Sequence, residues 1–144
     1  MRIGIIGDTH LGRKLYGYDL TGAIRRVMYK FFEFCVNEQV DLAVHLGDMF
    51  DTITPTIAHQ KLAVQWLNEF ERAGIQLRVL TGNHEVSAGS KATTALDCIK
   101  AIPYKYVDVV KYPLALSPAD SPELLFLPFP APGSFLPPVR PATG

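Results

Sequence analysis

The 144-residue sequence predicts an α/β fold built on a parallel sheet, and three observations carry that reading. Short apolar runs of strand length alternate with longer stretches whose apolar residues recur at helical spacing. Each of the first three runs closes on glycine followed by a polar residue, Gly7-Asp8, Gly47-Asp48 and Gly82-Asn83. The intervening stretches are also long enough to serve as the crossovers that parallel strands require.

Residues 2–7 (RIGIIG) form the first strand, and Arg13, Lys14, Tyr16 and Tyr18 fall in the loop after it. From Asp19 onward, Ile24, Val27, Met28, Phe31, Phe32, Cys35 and Val36 repeat at i, i+3, i+4 and i+7, which predicts an amphipathic helix. Residues 41–46 (DLAVHL) give a second buried strand. Pro55 suits the first turn of a second helix, where its missing N–H costs nothing, with Ile57, Ala58, Leu62, Trp66, Leu67 and Phe70 on the buried face. A third strand at 75–80 (IQLRVL) ends at Thr81-Gly82-Asn83-His84, and residues 92–102 predict a shorter helix before Pro103. Residues 104–110 and 124–127 are strand-like, with Pro113, Pro118 and Pro122 marking turns between them. Prolines at 128, 130, 132, 137, 138 and 141 remove backbone donors and fix φ. The chain therefore divides into a domain over 1–127 and a Pro-rich tail over 128–144, expected to be extended or disordered.

With 48% apolar and 19% charged residues, the composition is that of an ordinary globular domain. No apolar run reaches the ~20 residues of a membrane span. Asp8 and His10 interrupt the first apolar run before a signal-peptide core can form, so a cytoplasmic location is expected. Fourteen Lys and Arg balance fourteen Asp and Glu, which is not the footprint of a free-standing nucleic-acid binder. Any affinity for DNA must come from a local patch or a partner. Cys35 and Cys98 lack metal-type spacing and read as apolar side chains in a reducing compartment.

Right-handed crossovers place all three strand C-termini on one sheet edge, where ligands bind in such folds. Asp8 with His10, Asp48 with Asp51, and Asn83 with His84 can thus converge. A mixed carboxylate, imidazole and amide set suits manganese, iron or zinc better than calcium. Asp8 and His10 can grip one ion, and Asp48 can bridge to a second, about 3.5–4 Å away, to clamp a phosphoryl group. His84 is left to stabilise charge or protonate a leaving oxygen, with a nearby carboxylate fixing its tautomer.

The order Asp8-Thr9-His10, Gly47-Asp48-Met49-Phe50-Asp51, Gly82-Asn83-His84-Glu85 resembles the calcineurin-like metallophosphoesterase superfamily, with motifs over residues 1–85 and strands to about 130. DTHLG followed by GDMFDTITP and LLFLPFP is similar to the SbcD-type nuclease subunits of DNA repair complexes. The resemblance implies a layered α/β sandwich, of which this chain gives the β-α-β-α-β N-terminal half. It implies a metal-dependent enzyme hydrolysing phosphodiester bonds in DNA repair or recombination. In it Asp8 and His10 bind the first ion, Asp48 bridges, Asn83 binds the second, His84 is the acid or phosphate-stabilising residue, and Asp51 orients that histidine. Manganese is the implied ion, with iron, zinc or magnesium as alternatives. DNA is the implied partner, with a coiled-coil SbcC-type ATPase subunit and a homodimer as further ones, and no membrane. Arg13, Lys14 and Tyr16 are candidates to meet phosphates and bases.

The superfamily completes its site with further histidines, a lone one and a Gly-His-x-His segment, in the second half of the domain. Here the four histidines are 10, 45, 59 and 84. His45, inside a strand, is expected to be a hydrogen-bonded core residue, and His59 to lie on a helix surface. The second ion keeps Asp48 and Asn83 alone, so the sequence reads as cut short: a fragment, a frameshifted reading or one piece of a split gene. The chain alone is expected to hydrolyse little or no DNA. Three functions stay open. The GDMFDTITP segment favours a nuclease, neutrality favours a phosphatase or phosphodiesterase for small esters, and the missing histidines favour a non-catalytic fragment.

Overall fold

The computed structural model describes residues 1–85, 94–116 and 123–129 and the backbone of 140–141. Strand β1 (Ile3–Ile6) leads into a small hairpin, β2 (Lys14–Leu15) with β3 (Tyr18–Asp19), where the sequence suggests only a loop. Two-residue strands leave no periodicity to read. Asp19 Oδ1 then accepts from the Thr21 amide at 2.8 Å, satisfying an end donor of helix α1 (Thr21–Asn37), which buries Met28 and Cys35. Strand β4 (Leu42–His45) follows. Helix α2 (Ile57–Ala73) starts at Thr56, whose hydroxyl accepts from His59 N, and stops at Gly74, with φ of 69°. Pro55 therefore precedes the cap rather than sitting in the first turn, because Thr56 is the residue that can bond the free amide.

Strand β5 (Gln76–Leu80) passes into a 3-10 turn at Asn83–Glu85. Helix α3 (Ala95–Lys100) is shorter than expected. A reciprocal cap between Thr94 and Asp97 fixes its start, and residues 92 and 93 lie outside the described residues. Strand β6 (Val107–Val110) ends the main sheet, and β7 (Leu114–Leu116), β8 (Leu124–Phe126) and β9 (Arg140–Pro141) form a second one. Of the tail, Pro128, Phe129 and the backbone pairing of Arg140–Pro141 with β7 are described, and the rest of 130–144 is not.

The main sheet runs β1-β4-β5-β6, parallel throughout and in chain order, with the β2–β3 hairpin falling outside it. Crossovers that all step the same way put their helices on one face. Ala43, Leu77, Val79, Val107 and Val109 accordingly share a core with Met28, Trp66, Leu67, Phe70, Leu96 and Ile99 from the helices. Trp66 and Phe70 meet edge to face at 5.0 Å, and Trp66 Nε1 donates to the Met28 carbonyl at 2.8 Å, which ties α2 to α1. The alternate residues Leu42, Val44, Leu80 and Val110 face the other way and pack with Phe126, Leu114, Leu116 and Leu124 of the second sheet. That cover is partial: Ile5 on the edge strand is 60% exposed, Leu46 55% and Leu127 52%. Among the described residues, no helix is long and apolar enough to cross a membrane.

Candidate metal centre

The loops after β1 and β4 stay paired beyond their strands. Asp8 N donates to the Gly47 carbonyl, His10 N to that of Asp48 at 2.9 Å and Leu11 N to that of Met49 at 2.8 Å, while Asp51 N returns to the Leu11 carbonyl. Asp8 and His10 are thereby held alongside Asp48 to Asp51. The β5 loop closes in from the other side, and two glycines permit it. A Cβ on Gly47, where φ is 107°, would sit 2.7 Å from the Gly82 nitrogen. A Cβ on Gly82 would sit 2.2 Å from Asp48 Oδ1.

Asp8, Asp48 and Asn83 line one cavity of about 390 Å³, together with Thr81, Gly82 and an apolar rim of Leu46, Leu127, Pro128 and Phe129. His10, Asp48 and His84 form a second grouping whose ligand atoms lie within 4.8 Å of one another. Asp48 belongs to both, which puts it where two donor sets meet. The donors fit a divalent transition metal: carboxylate and amide oxygens with imidazole nitrogen, and a buried His10 Nδ1 that has no hydrogen-bond partner among the described residues. Asp51 Oδ1 lies 3.4 Å from that nitrogen and 3.0 Å from Arg13 Nη1.

His84 Nδ1 stands 2.9 Å from the Asp51 backbone oxygen, and a carbonyl only accepts, so Nδ1 carries the proton. The sequence suggests a carboxylate for this task; the Asp51 carbonyl meets the ring, while the Asp51 carboxylate faces His10 and Arg13. His84 Nε2 is left as a lone pair when the ring is neutral and a donor when it is charged. The rings of His10 and His84 meet edge to face, 4.8 Å apart.

Beneath the site, His45 is fully buried. Gly47 N donates to its Nδ1 at 3.2 Å, so the neutral ring holds its proton on Nε2 and donates to Thr9 Oγ1 at 3.0 Å. Thr9 in turn donates to the Met49 carbonyl. Burial depresses this imidazole to about 4, with nearby His10 acting the same way and Asp48 opposing. His59 is half-buried rather than exposed, its Nε2 3.4 Å from Thr21 Oγ1 and its ring against Gly12, because the β1 loop folds back over α2. Glu85 closes the third motif, where the sequence assigns it no role. Its carboxylate, 3% exposed, accepts from three backbone amides, Gly82, Asp48 and Phe50. No periodicity points to such a residue; only its place beside Asn83 and His84 does.

Arg13, Lys14 and Tyr16 lie on the hairpin that leaves this loop, and all three are exposed. Tyr16 and Gly17 form its tip with φ of 49° and 85°.

A parallel sheet that gathers carboxylates, an amide and imidazoles on the loops after three neighbouring strands is the framework of an α/β phosphoesterase. Residues 1–130 match the calcineurin-like phosphoesterase family, and the chain belongs to it. It is 30% identical over 118 residues to the DNA double-strand break repair protein Mre11 of Sulfurisphaera tokodaii, a match covering 81% of this chain and 28% of that protein. It is 31% identical over 98 residues to the SbcD component of the SbcCD nuclease of Rhodobacter capsulatus, covering 67% of this chain and 24% of that one. The SbcD component of the Escherichia coli nuclease is 31% identical over 85 residues, or 21% of its length. The chain thus spans less than a third of these relatives.

Proposed function

We propose that this chain carries the metal-holding half of a DNA phosphodiesterase of the Mre11 and SbcD kind. The observation that carries the reading is the convergence of Asp8, Asp48 and Asn83 on one cavity, beside His10 and His84, in a chain about 30% identical to proteins named for DNA repair and nuclease activity. In this reading Asp8 and His10 hold one ion, Asp48 bridges and Asn83 holds the second. Manganese is the ion proposed, ahead of iron, zinc or magnesium. Divalent ions bound here would supply Lewis acidity toward phosphoryl oxygens and a nucleophile ionised near neutral pH.

The protein's own contribution is orientation and proton placement. His84, its Nδ1 committed to the Asp51 carbonyl, presents Nε2 to a phosphate or leaving oxygen. Asp51 holds Arg13 beside the loop, and the exposed Arg13, Lys14 and Tyr16 meet phosphates and bases. A coiled-coil ATPase subunit, a second copy of the chain and a cytoplasmic location belong to the same proposal.

The test compares this chain with a fusion of it to the remaining length of the R. capsulatus relative, on linear duplex DNA and on a chromogenic phosphodiester. The fusion is expected to cut DNA with manganese and to lose that with Asp8→Ala. The short chain, which has no histidine after His84, is expected to show little turnover. A fusion that hydrolyses the small ester and spares DNA would support the small-phosphoester reading instead. In the fusion, His84→Ala is expected to keep its manganese while losing most turnover. Loss of manganese binding by that variant would move His84 into the ligand set.

A further inference from the structure

The carboxylate of Glu85 lines neither the cavity nor the imidazole cluster, yet it is buried and fully engaged. Oε2 accepts from Gly82 N at 2.8 Å and from Asp48 N at 3.0 Å; Oε1 accepts from Phe50 N at 3.0 Å. The first bond closes the turn that carries Asn83. The other two cross to the β4 loop and grip it on either side of Met49. Asp48 answers in kind, its Oδ1 accepting from His84 N at 2.9 Å. Two carboxylates, one on each loop, therefore clasp the other loop's backbone amides.

This clasp works against a conformational cost. Asp48 has φ of 52°, left-handed backbone that a non-glycine residue disfavours, while Gly47 before it takes its φ of 107° without strain. Burying a carboxylate is also unfavourable unless its lone pairs are met. Three amides meet them, and burial still raises the Glu85 acid above its ordinary range.

We propose that Glu85 is a positioning residue for metal binding. It fixes Asp48 in its left-handed conformation and locks the β4 and β5 loops at one spacing, so that Asp48 and Asn83 present their oxygens to the same place. The inference rests on the reading of Asp48 as a metal ligand.

The test is manganese titration, by calorimetry or by the paramagnetic resonance of free ion, of the wild type, Asp48→Ala, Glu85→Gln and Leu67→Ala, each checked for folding by circular dichroism. Glu85→Gln keeps the shape but turns an amide N–H₂ toward backbone donors. Loss of such a supporting partner lowers metal affinity about tenfold to a hundredfold. That loss is the expected result, with Leu67→Ala, a core control that only loosens the fold, binding like the wild type in its folded population. Glu85→Gln binding within twofold of the wild type would overturn the proposal. So would equal losses in Glu85→Gln and Leu67→Ala, which would make the effect general loosening. Wild-type affinity in Asp48→Ala would instead refute the ligand assignment beneath it. Should Glu85→Gln not fold, Glu85→Asp, one methylene short and still charged, replaces it under the same criteria.

Discussion

Asp8, His10 and Asp48 all adopt left-handed backbone, with φ of 51°, 46° and 52°. Non-glycine residues in that region cost free energy, so three of them on two facing loops mark a site held against its local preference. Among the described residues, none donates a hydrogen bond to the Asp8 side chain that would offset the strain. Replacing it with glycine relieves about 1 kcal/mol of strain and adds about 0.5 kcal/mol of chain entropy. The metal-free Asp8→Gly protein is therefore expected to be as stable as the wild type or about 0.5 kcal/mol more so, and to bind manganese weakly. Urea melts and metal titration check the two halves, and a destabilised variant would show that Asp8 supports the fold. His45 makes the opposite kind of statement. Its folded imidazole titrates near 4, while the unfolded ring takes a proton near 6.5, so the unfolded state gains protons first as pH falls. Stability is full above about pH 7 and declines down to about pH 4, by up to roughly 3 kcal/mol. Melts in chelator at pH 7.5 and 5 should show this slope in the wild type and lose it in His45→Gln.

At the scale of elements, what the sequence made legible is what has a period or a buried run. Helices α1 and α2 and strands β4 and β5 fall where apolar spacing puts them, and the shifted starts of α2 and α3 each trace to one residue: Thr56 as the hydroxyl cap, Thr94 as the reciprocal one. The short strands β2, β3 and β7 carry too few residues for any period to register. The polar groups at the site were legible as a set, because each follows a strand. Their couplings were not: the Asp51 carbonyl on His84 and the three amides on Glu85 exist only once loops distant in sequence are packed. The β2–β3 hairpin offers a clean experiment of its own. Its two-residue tip, Tyr16-Gly17, has φ positive at both positions, a turn that prefers Asn-Gly. Tyr16→Asn should therefore keep or tighten the hairpin while removing the ring. If Tyr16 stacks on a base, affinity for a single-stranded oligonucleotide should fall about fivefold to a hundredfold, as read by fluorescence anisotropy at fixed salt. Unchanged affinity would remove Tyr16 from the DNA-contacting set.

Across the whole molecule, the helix face of the main sheet is sealed and the opposite face is not. Ile3, Ile5, Leu46, Leu125, Leu127 and Phe129 remain open to solvent, and β1 exposes an unpaired edge among the described residues. Exposed apolar surface beside an open strand edge favours self-association. The chain is expected to associate with rising concentration, and Ile5→Lys, on that edge, to reduce the association while shifting stability by less than about 0.5 kcal/mol. Sedimentation velocity decides, and identical behaviour of the two proteins would locate the contact elsewhere. The strand order has a consequence in time as well. Because β1, β4, β5 and β6 lie side by side in the order in which they are translated, each new strand can dock on one already placed, and none has to be inserted between strands formed earlier. The loops bearing Asp8, Asp48 and Asn83 are all made by residue 85, before β6 exists. On a ribosome, which delivers roughly 5–20 residues each second, the metal-binding edge can begin to assemble while the far edge of its own sheet is still being synthesised.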